Sequence, residues 1–359
     1  MLNSARELTP ATLQFDAPPH VHEALASIGR TEDLAFSPSS RRLAIAEFGL
    51  DRILLLDLDK EARLSTGRLA FTGCLELWSV DLHAPHGLTF LDEDTIIVAN
   101  RNGAAPVFRL PPAGEGRRQQ TLAPLQTLRG GWLHRIATPG SVAAREVGRG
   151  RVEVLVCNNY RNTVTRHRLD RRRDYGVHTN RVLLKTGLSV PDGVAFSPDG
   201  RWIAVSNHNT HRVLMFENSR GLTPKTAPAG ALLDVDCPHG LQFSADGRSL
   251  VVASAASPFV HVYAASENDS VDWRGDRTPV ASVRIMDDET FLKGRYNPEE
   301  GGPKGLDLSA ELELLALTSE HQPLAFFDLA GVLGVSTGSV HSGPGGLGSA
   351  PEEAPRAER

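Results

Sequence analysis

The sequence predicts an all-β protein, a six-bladed β-propeller of four-stranded antiparallel blades. Three observations predict it: a recurring strand–turn–strand motif, a period of about 54 residues between its copies, and turn residues along the whole chain. The chain has 359 residues, with 33 glycines and 23 prolines. Their even spread suits many tight turns better than a single flexible linker.

The clearest copy of the motif is residues 191–217, PDGVAFSPDGRWIAVSNHNTHRVLMFE. Asp192–Phe196 is a small apolar strand, SPDG is a tight turn, and Trp202–Ser206 is a second strand. After a polar turn, Arg212–Phe216 alternates with the period of two that is typical of a strand. Such a three-stranded meander cannot bury both of its faces alone, so we expect copies of it to pack side by side.

Five further segments align with this motif, the third being degenerate. Counted from the position aligned with Asp192, the blades start at Glu32, His86, Gly140, Asp192, His239 and Lys304. Each repeat leaves room for a fourth strand, for example Arg181–Leu184 or Ala231–Val235. The sixth blade lacks its outermost strand. We expect residues 11–15 to supply that strand and close the ring, which removes an exposed sheet edge.

We therefore expect one propeller domain over residues 11–335. Residues 1–10 are expected to form a flexible N-terminus, and residues 336–359, rich in Gly and Pro, a disordered tail. Two stretches, 122–139 and 286–303, lengthen the period. They are either surface insertions or a lid over the channel mouth, with Trp132, Phe291 and Tyr296 as apolar covers.

Charge and composition restrict the partners. A net charge of −5 and a pI near 6.2 argue against nucleic-acid and anionic-membrane binding. The basic run Arg166–Asp174 is interrupted by acids, so we predict a solvated loop rather than RNA contact.

With no signal-peptide pattern and no segment that approaches a membrane span, we expect a cytoplasmic protein, and also a monomer. The absence of a CxxC pair argues against a disulfide framework or a thiolate zinc site built from Cys74, Cys157 and Cys237.

The first residues of the innermost strands converge on the axis of a propeller, on the face where ligands usually bind. Five of the six are ionisable: Glu32, His86, Asp192, His239 and Lys304. Two imidazoles and two carboxylates around one axis predict a cage in which Glu32, His86, Asp192 and His239 hold one calcium, zinc or manganese ion. The alternative, left open here, is a hydrated channel in which Lys304 pairs with Glu32 or Asp192.

The turns that follow the second strands form another ring on the same face. Their side chains supply donors and acceptors suited to a hydroxyl-rich or carboxylate ligand. The candidate ligand-binding residues are Asn100, Arg101, Asn102, Asn158, Asn159, Arg161, Asn207, His208, Asn209 and His211. The alternative is that these asparagines cap their own turns or adopt left-handed φ.

The repeat core, xPxGVAFSPDGxxIAVSNxxxHRVxxF, resembles the six-bladed propellers of the NHL-repeat and senescence-marker-protein/gluconolactonase superfamily over roughly residues 30–330. In the gluconolactonase-like members, an acid, the Asn of a PNG turn and an Asp hold an axial divalent cation. Glu32 matches the acid, Asp192 replaces the Asn, and His239 replaces the Asp; a further ligand-contacting Asn falls at Gly140 or Ser141 and is not matched.

The resemblance implies metal-assisted hydrolysis of a lactone or a sugar-derived ester, with no other cofactor. Asp192 or His239 would act as general base, and Lys304 would stabilise the developing oxyanion. The competing interpretation is a non-catalytic propeller, of the NHL or YVTN surface-layer type, that binds a small carbohydrate-derived ligand or a protein partner on the same face.

Overall fold

The structure, a computed structural model, describes residues 5–114, 116–267, 271–296 and 299–334. Its strands form six antiparallel blades around a central axis, which confirms the predicted fold.

The strands of each blade are given from the axis outward. Blade 1 consists of Thr31–Phe36, Arg42–Glu47, Arg52–Leu58 and Leu69–Trp78, and blade 2 of Pro85–Asp92, Thr95–Asn100, Ala105–Arg109 and Gln126–Leu128. Blade 3 consists of Pro139–Glu146, Arg151–Asn158, Thr163–Asp170 and Gly176–Leu184. Blade 4 consists of Pro191–Phe196, Trp202–Asn207, Arg212–Glu217 and Gly230–Leu232, and blade 5 of Pro238–Phe243, Ser249–Ser254, Phe259–Ala264 and Ala281–Arg284.

The sixth blade is completed by the N-terminal segment. Its own strands are Pro303–Ser309, Leu314–Ser319 and Ala325–Asp328. Thr12 forms an antiparallel bridge with Phe327, and the Leu13 N–H donates to the Phe326 carbonyl at 2.8 Å. The innermost strand of this blade packs against that of blade 1, so the ring is closed as expected.

Segments outside the repeat extend two of the blades. Arg6–Leu8 runs parallel to Ala281–Arg284 of blade 5, so this part of the N-terminus is a strand and not the flexible segment expected for residues 1–10. Phe15–Asp16 and Gly116–Thr121 both run parallel to Leu69–Trp78 of blade 1. A short hairpin joins Ser266–Glu267 and Val271–Asp272. The predicted tail, 336–359, lies outside the described residues.

Helices occupy the connections. They are Pro19–Ala26, Lys60–Thr66, Gly131–His134, Asp288–Lys293 and Leu329–Leu333, with single 3₁₀ turns at Asn159–Arg161, Arg171–Arg173 and His208–Thr210. Among the described residues, no helix has the length and apolar character needed to cross a membrane.

The hydrophobic core lies between neighbouring blades. Six apolar clusters fill the six interfaces around the ring, and helix Pro19–Ala26 adds Val21 and Ala24 to the cluster between blades 6 and 1. Because each blade is covered on both faces, second strands such as Trp202–Asn207 are buried along their whole length. This packing explains why these strands read as continuous apolar runs in the sequence.

The basic run Arg166–Asp174 is not the solvated loop predicted from its charge. Its first half belongs to the third strand of blade 3, Thr163–Asp170, where Arg166 and His167 are buried. Arg168 of this strand and the following 3₁₀ turn, Arg171–Arg173, lie at the surface. The sequence did not predict this strand because its charged residues interrupt the alternation of apolar and polar residues that indicates a strand.

Candidate functional site

Five polar side chains meet on the axis at one end of the channel. Each is the second residue of an innermost strand, and the five are Glu32, His86, Asp192, His239 and Lys304. All are buried, with at most 6% of any residue exposed. Each of these strands begins one residue before the start predicted from the repeat, and the axial side chains do converge.

Three of them present ligand atoms to one another as a metal site would. The carboxylate and imidazole donors of Glu32, His86 and His239 all lie within 4.8 Å of each other. Glu32 Oε2 is 3.5 Å from His86 Nε2 and 3.6 Å from His239 Nε2, and the two rings stack with centroids 5.2 Å apart. This oxygen forms no hydrogen bond of good geometry with the described residues, but Lys304 Nζ lies 3.2 Å from it. A buried carboxylate oxygen that faces two imidazole nitrogens suits a divalent ion, which would share this oxygen with the Lys304 ammonium.

The protonation state of His86 also suits a ligand. Its Nδ1 lies 2.8 Å from the Gly140 carbonyl, which can only accept, so Nδ1 carries the proton. The Nε2 lone pair accepts a hydrogen bond from Arg101 Nη2, which a metal ion at Nε2 would have to displace. Burial, with the Arg101 guanidinium second, lowers the pKa of His86 to about 3. Burial likewise lowers the pKa of His239. Both imidazoles are therefore neutral at pH 7, as metal ligation requires.

Asp192, the fourth predicted ligand, lies beside this group. Its Oδ2 is 3.5 Å from His239 Nε2, and its Oδ1 is 3.5 Å from Arg101 Nη2 and accepts a hydrogen bond from Asn159 Nδ2. Burial would raise the pKa of Asp192, but His239, His86 and Arg101 together lower it. The structure therefore contains a buried, ionised carboxylate next to the candidate metal ligands.

Lys304 is engaged by carboxylates on three sides. Its Nζ lies 3.2 Å from Glu32, 3.1 Å from Glu300 and 2.7 Å from Glu320. Burial opposes the charged form, yet these carboxylates raise the pKa of Lys304. The same ammonium, with Arg30, overcomes the effect of burial on Glu32 and lowers the pKa of that carboxyl to about 2. The ion-paired channel and the metal site are thus combined in one cluster, because Lys304 pairs with Glu32 while Glu32 faces both imidazoles.

Three of the predicted ligand-binding asparagines brace turns. Asn100, Asn158 and Asn207 are the last residues of second strands, and their amide oxygens accept the backbone N–H groups of His83, Ala137 and Ser189. Their amide nitrogens donate to Asp81, Thr165 and Gly187, respectively. These three side chains thus brace the connection that precedes their blade and do not cap the backbone of their own turns.

The residues one position further along reach the axial cluster. Arg101 contacts His86 and Asp192, Asn159 donates to Asp192, and Glu320 pairs with Lys304. The ring of Phe48 packs edge-on against His86. His208 bonds Glu300 at 3.0 Å, and although burial opposes its charge, contacts with Cys237 and Glu300 raise its pKa to about 11. The remaining predicted residues, Asn102, Arg161, Asn209 and His211, are exposed on the outer rim.

Two members of the cluster were missed by the sequence reasoning, Arg30 and Glu300. Arg30 pairs with both Glu32 and Glu320, and Glu300 joins Lys304 to His208. Glu300 lies in the insertion 286–303, four residues before Lys304, and this spacing was the available signal. The insertion thus carries a polar group to the axis. Of the three aromatic covers expected, Trp132 and Tyr296 are 87% and 76% exposed, and Phe291 packs against the apolar cluster between blades 5 and 6.

Comparisons with known proteins agree with the fold. No family model matches the chain. Over 152 residues, 41% of its length, the chain is 24% identical to a pyrroloquinoline quinone-dependent sugar dehydrogenase of Hypocrea jecorina (strain QM6a), of which it spans 35%. The crystal structure of a functionally unknown protein from Desulfotomaculum acetoxidans DSM 771 superposes with a TM-score of 0.53 at 13% identity, covering 84% of this chain and 83% of that one.

Fold and site together define a class: a six-bladed β-propeller with a buried, mixed-charge cluster at one end of its channel. One weak relative is a sugar dehydrogenase, and the structural likeness shows the fold alone. The resemblance to NHL-repeat and gluconolactonase-like propellers stays a prediction.

Proposed function

We propose that the axial cluster is a divalent-metal site serving the hydrolysis of a lactone or a similar sugar-derived ester. The observation that carries the proposal is the grouping of three buried donors, in which Glu32 Oε2 faces His86 Nε2 and His239 Nε2 at 3.5 and 3.6 Å. Imidazole with carboxylate favours zinc or manganese over calcium.

Glu32, His86 and His239 would hold the ion, which when bound would acidify a water molecule and polarise a carbonyl. Asp192 would accept a proton as the ionised carboxylate that Asn159 fixes beside His239. Because its neighbours outweigh the effect of burial and lower its pKa, it is a weak base. Arg101 replaces Lys304 as the group that would stabilise an oxyanion. Its Nη1 is buried and donates no hydrogen bond to the described residues, whereas Lys304 is committed to carboxylates.

Two surface depressions adjoin the cluster and offer routes for a substrate. One, of about 440 Å³, is lined by Arg30, Glu320 and Tyr296; the other, of about 580 Å³, by His208 and Arg295. Either volume accommodates a monosaccharide-sized ligand. The similarity to a sugar dehydrogenase supports a carbohydrate-derived substrate.

The same similarity favours a second candidate, quinone-dependent sugar oxidation. Pyrroloquinoline quinone is a planar polycarboxylate and needs cations that are free to pair with it. Lys304 and Arg30 are already paired with Glu32 and Glu320, and Arg101 is paired with Asp192 through Nη2, which leaves its Nη1 as a single unbonded donor among these three cations. One such donor does not suffice for several carboxylates, so the described residues do not fit this cofactor, and hydrolysis is the better-supported reaction.

Chelation tests the proposal. The chain would be stripped with a chelator, reloaded with zinc, manganese or calcium singly, and assayed on a panel of aldonolactones and aryl esters. We expect stripping to abolish hydrolysis and one metal to restore it in the wild type and in the rim variant Asn102→Ala, but not in Glu32→Gln. Full activity after stripping, or no turnover of any substrate with any metal, would refute it.

A further inference from the structure

A second polar cavity lies on the face opposite the channel mouth, between blades 3 and 4. Its volume is about 610 Å³, and its charged lining is Arg145, Glu153, Arg166, Arg168, Arg181 and Arg220. Arg145 is near the far end of the innermost strand of blade 3, Pro139–Glu146, whose first residues border the axial cluster. At about 3.3 Å per residue, this separates the cavity from that cluster by more than 15 Å.

The register of blade 3 places these side chains on one face of the sheet. Glu153 lies opposite Arg145 on one side and Arg168 on the other. Arg166, two residues before Arg168, lies opposite Arg181 on the outermost strand. Period-two alternation therefore turns all five side chains towards blade 4, where the connection carrying Arg220 completes the wall.

The positive charge of this wall is not balanced within the protein. Glu153 is fully buried and lies 2.7 Å from Arg145, 3.3 Å from Arg166 and 3.6 Å from Arg168, so one carboxylate serves three guanidinium groups. Arg181 and Arg220 form no ion pair with any residue that the structure describes. The cavity therefore presents five guanidinium groups against a single carboxylate.

Arg166 is the most deeply buried arginine of the cavity. Its side chain is only 9% exposed; Nη2 donates to Asn218 Oδ1, and Nε lies 3.3 Å from Glu153 Oε1 without a hydrogen bond of good geometry. Burial lowers the pKa of Arg166 to about 10, and the like charges of Arg181 and Arg145 add to this effect against the attraction of Glu153. An anion in the cavity would relieve the repulsion between Arg166 and these neighbouring guanidinium groups.

The buried arginines of blade 1 show that such an excess is not required by the fold. There Arg52 pairs with Glu47 and Glu76 at 2.6 Å each, and Arg117 also pairs with Glu76. In that blade, Arg52 and Arg117 are therefore both paired with carboxylates. The unmatched arginines of blade 3 are a local feature, which points to a ligand rather than to packing.

We propose that this cavity binds the phosphate ester of a small hydroxylated molecule. Guanidinium groups approach from several strands, and a tetrahedral dianion offers acceptors in several directions, whereas one carboxylate is satisfied by a single guanidinium fork. The neutral groups of the lining, among them Thr179, Asn180 and Ser219, suit hydroxyls. The volume exceeds that of a phosphate ion and matches a small phosphate ester.

Isothermal titration of the full chain tests this proposal with glucose 6-phosphate, inorganic phosphate, glucose and a short single-stranded oligonucleotide at low ionic strength. We expect both phosphates to bind, glucose 6-phosphate with a Kd of about 1 mM or tighter, and glucose not to bind. Arg168→Gln and Arg181→Gln alter side chains that are largely solvent-accessible, so both variants should fold. Each should weaken binding roughly tenfold.

Arg201→Gln is the matched control, because Arg201 is exposed on the same face and does not line the cavity. Its phosphate affinity should equal that of the wild type. No heat with either phosphate, unchanged binding in both cavity variants, or an equal loss in Arg201→Gln would overturn the proposal. Tighter binding of the oligonucleotide than of glucose 6-phosphate would overturn it as well. Hydrolysis at the axial cluster should be the same in all three variants, so the two proposals can fail separately.

Discussion

Most polar side chains on the axis are followed by glycine, because the innermost strands approach each other too closely for a Cβ atom. A Cβ built on Gly87 would lie 2.5 Å from the Gly140 carbonyl oxygen, and one on Gly240 would lie 2.5 Å from the Lys304 carbonyl oxygen. Gly193 and Gly305 are equally confined. The Pro-x-Gly pattern of the sequence therefore combines two requirements, a functional side chain at x and a strand contact directly after it.

Gly240→Ala tests this contact. We expect the free energy of unfolding to fall by about 2 kcal/mol or more, because the added methyl meets backbone that cannot move without disturbing the neighbouring blade. Gly49→Ala is the control, since a Cβ there meets nothing within 4 Å. Chemical denaturation of both variants measures the effect. Equal stability of the two would show that the innermost strands can separate.

His167 provides a second test at the residue scale. It is fully buried on the third strand of blade 3, and burial lowers its pKa to about 3. In the unfolded chain His167 binds a proton near pH 6.5, whereas in the folded protein it stays neutral down to about pH 3. Protonation therefore favours the unfolded chain, and the free energy of unfolding falls as the pH drops from 6.5 towards 3. In His167→Phe this loss is absent. The stability advantage of the wild type over the variant should therefore shrink between pH 7 and pH 4 in urea titrations; a constant difference would contradict the assignment.

At the scale of elements, segments distant in sequence complete the outer edges of the blades. Thr12 and Leu13 bond to the last strand of blade 6, and Leu13 and Phe15 pack on the cluster between blades 6 and 1. The strand Arg6–Leu8 is separate and extends blade 5. Two truncations can therefore distinguish ring closure from simple extension of an edge.

Deletion of residues 1–17 should lower the free energy of unfolding by several kcal/mol, since burial of a Leu or Phe side chain contributes about 2 kcal/mol each. Deletion of residues 1–9 removes only the added strand of blade 5 and should cost less. Thermal unfolding of the two truncated chains against the full chain measures the difference. If the longer deletion costs no more than the shorter one, the N-terminal segment does not close the ring.

The repeat made the blades predictable because each copy has the same apolar strands and Pro/Gly turns. It also placed Glu32, His86 and His239, since register within a repeat fixes which residue begins the innermost strand. Arg30 and Glu300 were not predictable in this way, because they lie in connections that follow no repeat. The strand around Arg166 was not predicted, because a run of charged residues in a sequence usually indicates a solvent-exposed loop. A cytoplasmic location and a monomeric state stay predictions.

At the scale of the whole molecule, polar chemistry is divided between two ends of one ring. The mouth carries paired charges around two neutral imidazoles, and the opposite face carries unmatched arginines between blades 3 and 4. Hydrophobic clusters between every pair of blades hold both ends in place. The proposed metal site lies at the mouth of the channel, with Glu32, His86 and His239 as ligands of one divalent ion.

The most direct test of that claim is the metal stoichiometry of the full chain. The protein would be loaded with zinc or manganese, dialysed, and analysed by elemental mass spectrometry beside Glu32→Gln, His239→Ala and the rim variant Asn102→Ala. We predict one bound ion per chain in the wild type and in Asn102→Ala, and less than a tenth of that in the other two, because removal of one ligand typically weakens a site by tenfold or more. No metal in the wild type, or the same amount in Glu32→Gln, would contradict the account.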